Sequence, residues 1–323
     1  MDAEIRKKSK GLAQMIETAD KIAIIGHIRP DGDCIGSNLA MYNYITDNYP
    51  DKTVDVYDEP CSPTFKLLSG YRKIKHEPSG DRYDLAISID VSEINRLGKF
   101  LDTYNSAIST VCIDHHISNT GFGDLCYIVP QASSACEVMC DLIDMDKVSE
   151  KTASCLYLGI VHDTGVFKYS STTRKTMELA GLLVEKGAHP EIIIDETFYK
   201  KTYKQNQLLA KAIFKAELAM SGKFISCRLD NADFKEFKCT SMDTEGIVEQ
   251  LRLTDGVEVA MLCYQIARKK YKYSFRSKTV VDVNVIASHF GGGGHVRAAG
   301  FESTEDYDKI LETVTQMIEE QLK

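Results

Sequence analysis

Short runs of apolar, often β-branched residues recur in the first half of the chain, separated by stretches whose apolar positions have a helical spacing. The runs cover residues 21–26, 54–57, 85–90 and 110–114. The helical stretches cover residues 36–47, 133–143, 152–161 and 173–186. Buried strands that alternate with helices are typical of a parallel sheet with crossover helices. We therefore expect an α/β fold for this half.

The pattern changes after residue 190. Residues 191–219 are polar, rich in Lys and Gln and helical in period, which predicts a helical linker. Strand-like alternation then follows at residues 224–229, 257–267 and 271–276, and an amphipathic helix at 304–322. The expected organisation is an N-terminal parallel-sheet domain at 1–190, the linker at 191–219 and a smaller α+β domain at 220–323.

Composition and charge restrict the function classes. The 323 residues carry a formal net charge of -8, which disfavours a protein that coats long duplex nucleic acid but allows a local basic pocket for a small phosphorylated ligand. The ten cysteines include no C-x-x-C pair, so a reduced, cytoplasmic setting is expected. No apolar stretch approaches the roughly 20 residues that span a membrane.

Aspartates and histidines gather where predicted strands end. They are His27, Asp31 and Asp33 after the first run, Asp90 at the end of the third, Asp114, His115 and His116 at the end of the fourth, and Asp163 in a helical stretch. Asp31, Asp33 and Asp163 taken alone also fit a helix cap or a turn. Asp90 is different, because a carboxylate that ends an apolar run is costly to bury without a partner. The carboxyl ends of parallel strands meet in one crevice, however, and carboxylates gathered there repel one another without a cation.

Such a cluster suits hydrolysis assisted by two divalent metal ions. Two ions held by carboxylates generate a nucleophile from water at neutral pH and clamp the oxygens of a phosphorus centre. Aspartate and histidine ligands without cysteine favour Mn²⁺ or a similar ion over a structural Zn²⁺. We therefore expect two divalent ions, with Mn²⁺ preferred.

The order H-x3-D-x-D, then Asp90, then D-H-H, then a helical Asp163 resembles the DHH phosphoesterase superfamily. The resemblance implies that His27 and Asp31 bind one metal ion, that Asp33, His115 and Asp163 bind the other, and that Asp90 bridges both. It further implies that Asp114 orients a ligand and that His116 faces the substrate phosphate and assists catalysis.

Residues 290–300, with the sequence FGGGGHVRAAG, are similar to the G-G-G-H-x-x-A-A-G signature of the DHH-associated C-terminal domain. The resemblance implies that Arg276, His295 and the glycines bind substrate in an interdomain cleft. The glycines are Gly292, Gly293 and Gly294. A run of glycines by itself also fits a flexible turn. Arg96 and Asn119 follow the acidic motifs closely enough to reach a bound phosphate. The alternative is that both are ordinary polar residues of the surface.

Within the superfamily the chain is most similar to the bifunctional oligoribonuclease and pAp phosphatase (nano-RNase) subgroup. This implies hydrolysis of short RNA, of pApA or of the 3′-phosphate of pAp, and no membrane partner. The alternatives are an inorganic pyrophosphatase-like enzyme and a non-catalytic nucleotide-binding regulator on the same scaffold. The sequence leaves the oligomeric state open, a homodimer included.

Overall fold

The computed structural model describes residues 3–323, with side chains from Ser9 onward. The chain divides into two compact units, the first ending at Lys200 and the second covering Lys201–Lys323. Among the described residues, no helix is both long and apolar enough to cross a membrane.

The first unit is built on a six-stranded parallel sheet in the order β3-β2-β1-β4-β5-β6. Its strands are β1 Lys21–Ile25, β2 Thr53–Tyr57, β3 Ile74–Lys75, β4 Leu85–Ile89, β5 Ser109–Asp114 and β6 Leu125–Ile128. Its helices are α1 Ala3–Thr18, α2 Gly32–Asn48, α3 Leu101–Asn105, α4 Ala135–Leu142, α5 Glu150–Asp163, α6 Arg174–Glu185 and α7 Pro190–Ile194. The α/β prediction for this half is confirmed.

The parallel strands are short apolar runs because both faces of the sheet are covered. One face packs against α2, α4 and α5 through residues such as Ile24, Ile35 and Leu156. The other face is covered by a smaller cluster that contains Tyr57, Phe100 and Tyr104. The strands are therefore held by apolar contacts on both faces, and polar side chains occur at their carboxyl ends.

The second unit contains a mixed six-stranded sheet in the order β11-β12-β10-β9-β8-β7. Its strands are β7 Glu217–Ala219, β8 Phe224–Leu229, β9 Val259–Ala267, β10 Lys270–Ser277, β11 Gly293–His295 and β12 Ala298–Ser303. Its helices are α8 Tyr203–Lys215, α9 Asn231–Glu236, α10 Ile247–Arg252, α11 Val283–His289 and α12 Tyr307–Leu322. Residues 191–219 thus contain helical segments and a strand, and Leu208 and Ala212 of α8 pack into a core of this unit.

The faces of this second sheet are covered unequally. One face packs along its length against α11 and α12 through residues such as Phe275, Ile286 and Val314. The opposite face is covered over β8 and β9 by residues of α8 and α10, with Leu208 and Leu251 among them. On that same face the side chains of β10, β12 and β11 are partly or fully exposed. This exposed region is named the open face below.

Candidate metal centre

The polar cluster of the first unit lies where β1 and β4 are neighbours in the sheet. Chain order reverses at this place, so the loops that follow the two strands separate and leave a crevice. Asp90 directly follows β4, and His115 directly follows β5. His27 comes two residues after β1. Three stretches far apart in sequence thus supply ligands to one edge of the sheet.

Two helices bring the remaining carboxylates to this edge. Asp31 caps α2, because its Oδ1 accepts hydrogen bonds from the backbone N–H groups of Asp33 and Cys34 at 3.1 and 3.2 Å. Asp163 is the last residue of α5. A Cβ on Gly159 of α5 would lie 2.5 Å from Asp33 Oδ1, so the glycine permits α5 to approach this carboxylate.

His115 lies at the centre of the carboxylates. Its Nε2 is 3.0 Å from Asp163 Oδ2, 3.5 Å from Asp90 Oδ1 and 3.8 Å from Asp33 Oδ2. Burial opposes the charged form of His115, but the hydrogen bond with Asp163 and the other carboxylates raise its pKa overall. The surrounding carboxylates therefore favour a positive charge at this position.

His27 holds the other side of Asp90. Its Nε2 lies 3.6 Å from Asp90 Oδ2 and 3.8 Å from Asp31 Oδ2. Its Nδ1 lies 2.8 Å from the carbonyl oxygen of Ile28 and 3.0 Å from Nη2 of Arg96. Arg96, which was expected near a bound phosphate, is thus placed directly beside the cluster.

Asp33 and Asp90, two buried carboxylates of the crevice, have opposite electrostatic environments. Burial raises the pKa of Asp33 well above its usual value, and repulsion from Asp90 and Asp163 adds to the shift. Asp33 is held by the backbone N–H groups of Ala135 and Cys136 at the start of α4, at 2.6 and 3.1 Å. Burial acts to raise the pKa of Asp90 as well, but the neighbouring imidazoles lower it overall.

The backbone and the carboxylate of Asp90 both suit a metal ligand. Its φ of 63° lies in the left-handed region, which costs free energy for a residue other than glycine and directs the carboxylate into the crevice. Among the described residues, its buried Oδ1 has no hydrogen-bond partner. A buried carboxylate oxygen of this kind costs free energy unless a cation or a donor meets it.

Donor atoms of three groups of residues each lie within 4.8 Å of one another: His27, Cys34 and Asp90; Asp90, His115 and His116; and Asp33, His115 and Asp163. Asp90 is shared by two of these groups. The donors are mainly carboxylate oxygens and imidazole nitrogens, which suit a divalent ion such as Mn²⁺. The donor types therefore fit the expected metal ions. Five of the six expected ligands occur in these groups, and the sixth, Asp31, is in none of them, although its Oδ2 lies 3.8 Å from His27 Nε2.

His116 is oriented by Asp114 rather than by the carboxylates of the crevice. Its Nδ1 lies 2.8 Å from Asp114 Oδ1, and this hydrogen bond raises the pKa of His116. Asn119 completes the arrangement, because its Nδ2 donates to Asp114 Oδ2 at 2.7 Å and to the carbonyl oxygen of Val91 at 2.9 Å. Asn119 is buried, and its amide is directed at Asp114 and the backbone.

A second polar layer beneath His27 was missed by sequence reasoning. Asp58 directly follows β2 and is fully buried, and its carboxylate accepts from Asn38 Nδ2 at 3.0 Å. Cys34 Sγ lies 3.6 Å from Asp58 Oδ1 and accepts from the backbone N–H of His27. The signal that singled out Asp90, a carboxylate at the end of an apolar run, also applies to Asp58.

In the second unit, Arg276 and His295 lie on the open face. Arg276 of β10 is in register with Ala298 of β12, and Ala298 is in register with His295 of β11. Residues opposite one another in antiparallel strands point to the same face. Their backbones are therefore about 10 Å apart, across two strand spacings, with only the methyl group of Ala298 between them. Arg276 Nη1 donates to the carbonyl oxygen of Phe275 at 2.9 Å.

The glycine run has different neighbours at successive positions. A Cβ on Gly292 would lie 2.3 Å from the carbonyl oxygen of Gly300, and one on Gly294 would lie 2.4 Å from that of Ala298. These two glycines therefore let β11 approach the backbone of β12. A Cβ on Gly293 would meet only Asn284 Oδ1, at 3.8 Å. Among Gly292, Gly293 and Gly294, Gly293 is the one with free space beside it.

Comparisons with protein families match both halves of the chain. Residues 21–160 match the DHH family, N-terminal domain, and residues 222–320 match the DHHA1 domain. The first match covers the cluster from His27 to His116 and ends within α5, three residues before Asp163, and the second covers the open face from β8 into α12.

Relatives of known name align over nearly their whole length. The probable bifunctional oligoribonuclease and PAP phosphatase NrnA of Streptococcus mutans is 33% identical over 298 residues, which cover 91% of this chain and 93% of the relative. The bifunctional oligoribonuclease and PAP phosphatase NrnA of Bacillus subtilis is 26% identical over 318 residues, which cover 96% of this chain and 98% of the relative.

Solved structures show the same fold. An exopolyphosphatase-related protein from Bacteroides fragilis superposes with a TM-score of 0.86 at 23% identity and covers 98% of this chain and 96% of that protein. RecJ from Thermus thermophilus, solved in complex with Mn²⁺, gives a TM-score of 0.53 at 11% identity and covers 98% of this chain and 54% of RecJ.

Proposed function

Because the chain belongs to the DHH family and carries a DHHA1 domain, we propose that this hydrolase is a metal-dependent phosphoesterase of short RNA. Its substrates would be oligoribonucleotides from dinucleotides, pApA included, to five-nucleotide chains, together with pAp, from which it would remove the 3′-phosphate. The names of the relatives from Streptococcus mutans and Bacillus subtilis support both activities.

The observation that carries the proposal is the environment of Asp90. Its Oδ1 is buried without a hydrogen-bond partner among the described residues and lies 3.5 Å from Nε2 of His115, and its Oδ2 lies 3.6 Å from Nε2 of His27. Both distances are longer than an ordinary N–H···O bond. Divalent cations on either side of this carboxylate would satisfy its lone pairs and relieve its repulsion with Asp33.

We assign His27 and Asp31 to one ion, Asp33, His115 and Asp163 to the other, and Asp90 to both. Mn²⁺ is the preferred ion, since the donors are oxygen and imidazole nitrogen and RecJ was solved with Mn²⁺. Bound ions would supply Lewis acidity toward the phosphate oxygens and a nucleophile from water.

His116 would act on the substrate phosphate. Its Nδ1 is engaged by Asp114, so Nε2 is the nitrogen left to face a ligand. The raised pKa keeps the imidazole protonated to a higher pH, so it can donate a hydrogen bond or a proton to a phosphate or leaving-group oxygen. Asn119 would be a positioning residue that acts through Asp114.

Arg96 would bind the substrate phosphate once the metal site is loaded. A neutral imidazole has one protonated nitrogen and one lone pair. If Nε2 of His27 binds a metal ion, Nδ1 carries the proton and donates to the carbonyl oxygen of Ile28. Nη2 of Arg96 then loses its acceptor on His27 and is available to a phosphate oxygen.

The second unit would recognise the substrate through a phosphate. Arg276 and His295 border a strip of the open face where Ala298 and Gly293 leave the backbone uncovered. Guanidinium and imidazole groups suit a phosphate, and backbone N–H groups beside glycine can approach it closely. An Arg276→Ala change should therefore raise KM more than it lowers kcat.

The proposal is tested by initial rates on pAp, pApA and a 5′-phosphorylated five-nucleotide RNA, with Mn²⁺ and after EDTA treatment. We expect free phosphate from pAp and mononucleotides from the RNA, and we expect both to be lost with EDTA and in His115→Ala. His189→Ala removes an exposed imidazole and is the matched control. Hydrolysis of pyrophosphate alone, or turnover that survives metal removal, would contradict the proposal.

A further inference from the structure

Strand β10 carries a second cation on the open face, in addition to Arg276. Alternate residues of a strand point to the same side, so Lys272 and Ser274 share the face of Arg276. Tyr273 and Phe275 point the other way, into the core with α11 and α12. Lys272 is exposed, and Ser274 is partly exposed. The strand thus presents a line of Lys272, Ser274 and Arg276.

The neighbouring strand leaves room beside this line. Ser274 is in register with Gly300 of β12, which has no side chain, and Arg276 is in register with Ala298. The uncovered strip therefore continues from Arg276 toward Lys272. Lys272 and Arg276 are four positions apart along the strand, which corresponds to about 13 Å.

The acidic neighbour of Lys272 forms its ion pair with a different lysine, and Lys272 acts on this carboxylate only through its charge. Glu302 of β12 is in register with Lys272, but its carboxylate forms an ion pair with Lys270 Nζ at 2.6 Å. That pairing lowers the pKa of Glu302, and Lys270 is engaged by it. The remaining basic residues of the hairpin, Arg268 and Lys269, lie in the turn outside the two strands.

We propose that Lys272 binds a phosphate of an oligoribonucleotide other than the one at Arg276, and so distinguishes RNA chains from pAp. The inference rests on the proposed function. The two phosphates of pAp lie on one nucleoside, whereas each added nucleotide brings a further phosphate along the backbone. A cation about 13 Å along the strand from Arg276 is placed for such an additional phosphate. Lys272 would therefore determine specificity without taking part in the chemistry.

The test compares Lys272→Ala with the unchanged protein on pAp and on a 5′-phosphorylated five-nucleotide RNA. For the RNA, we expect KM to rise roughly tenfold and the slope of log KM against log salt to fall by about 1. For pAp, we expect KM and kcat to be unchanged. Glu302→Gln removes a negative charge beside Lys272 and should lower KM for the RNA alone.

Lys309→Ala is the matched control, because Lys309 is an exposed lysine of α12, which packs on the opposite face of the sheet. Lys272→Arg should restore the wild-type KM. An equal KM change on both substrates, or none on the RNA, would overturn the inference while the proposed function stands. Failure of the unchanged protein on both substrates would instead refute the proposed function.

Discussion

Asp114 Oδ1 lies 2.8 Å from Nδ1 of His116, two residues further along the chain. Asp114 is fully buried, and its second oxygen accepts a hydrogen bond from Asn119 Nδ2 at 2.7 Å. A carboxylate fixed in this way determines which nitrogen of the imidazole carries the proton and where the ring points. The first residue of the D-H-H sequence therefore controls the third.

Asp114→Asn should lower kcat/KM by about 10- to 100-fold, because the amide no longer fixes the ring of His116. The aspartate raises the pKa of His116, so its removal should move the alkaline limb of the pH–rate profile to lower pH. The measurement is the profile of kcat/KM on pAp. In a His116→Gln background, Asp114→Asn should lower kcat/KM little further. If it lowered kcat/KM there by as much as in the unchanged protein, Asp114 would have a role that does not depend on His116.

Asp90→Asn should abolish the stabilisation of the protein by Mn²⁺. At a hundredfold excess of Mn²⁺ over its Kd, the unchanged protein should gain about 2.7 kcal/mol in free energy of unfolding. Asparagine tolerates the positive φ of this position but lacks the charge that would attract two ions. Urea unfolding with Mn²⁺ and with EDTA measures the difference.

The control for this experiment is Asp51→Asn, at an exposed position. It should retain the full gain in unfolding free energy from Mn²⁺. If Asp90→Asn also retained the gain, Asp90 would not be a ligand, and the assignment of the cluster as a metal site would need revision.

Where the signal is local, the sequence allowed us to predict which polar side chains come together. Strand periodicity placed Asp90 and His115 at strand ends, and the topology of parallel sheets brings such ends together. The structure assembles these side chains from stretches at residues 27–33, 90, 115 and 163. Four strands of the first sheet, β1, β2, β4 and β5, were also recognised, because they are short, mainly apolar runs with β-branched residues.

The remaining features depend on packing between distant segments. Asp33 is held by Ala135 and Cys136, about a hundred residues away, because α4 begins beside α2. The layer of Cys34, Asn38 and Asp58 depends on how α2 lies against β2. The strands β3 and β11 are too short to show a period. No pattern within a short window of sequence encodes these contacts.

Two glycines of the run are expected to have different roles, Gly292 in folding and Gly293 in substrate binding. Gly292→Ala would place a methyl group 2.3 Å from the carbonyl oxygen of Gly300 and 2.5 Å from Cβ of Phe301, so we expect a loss of roughly 1–3 kcal/mol in unfolding free energy. In Gly293→Ala the nearest atom to the new methyl group would be 3.8 Å away. This change should therefore alter the free energy of unfolding by no more than about 0.5 kcal/mol. Urea unfolding of both variants measures this difference.

Gly293→Ala then tests substrate binding without a folding defect. If the backbone beside Gly293 contacts a phosphate, the methyl group should raise KM for pAp while kcat changes little. Equal stability of Gly292→Ala and the unchanged protein would show that β11 can move away from β12. The glycines would then not be required for strand pairing.

Asp58 should make the stability of the metal-free protein depend on pH. Burial raises its pKa from 3.8 to about 7, although Asn38 and Cys34 partly stabilise the charge. The unfolded chain thus releases this proton at lower pH than the folded chain. The contribution of Asp58 to folding stability is therefore largest below the pKa of the unfolded chain, 3.8. It falls as the pH rises from 3.8 to about 7 and levels off above that pH.

Asp58→Asn should remove this contribution, because the amide keeps the hydrogen bond with Asn38 and does not ionise. Between pH 5 and pH 8 the free energy of unfolding of the unchanged protein should fall by roughly 2–3 kcal/mol more than that of the variant. Urea unfolding in EDTA at both pH values measures the two changes. Asp33, Asp163 and the imidazoles are present in both proteins, so their common contributions cancel in the difference. Parallel pH dependences would mean that Asp58 has the same pKa in the folded and unfolded chains, and that its layer beneath His27 admits water.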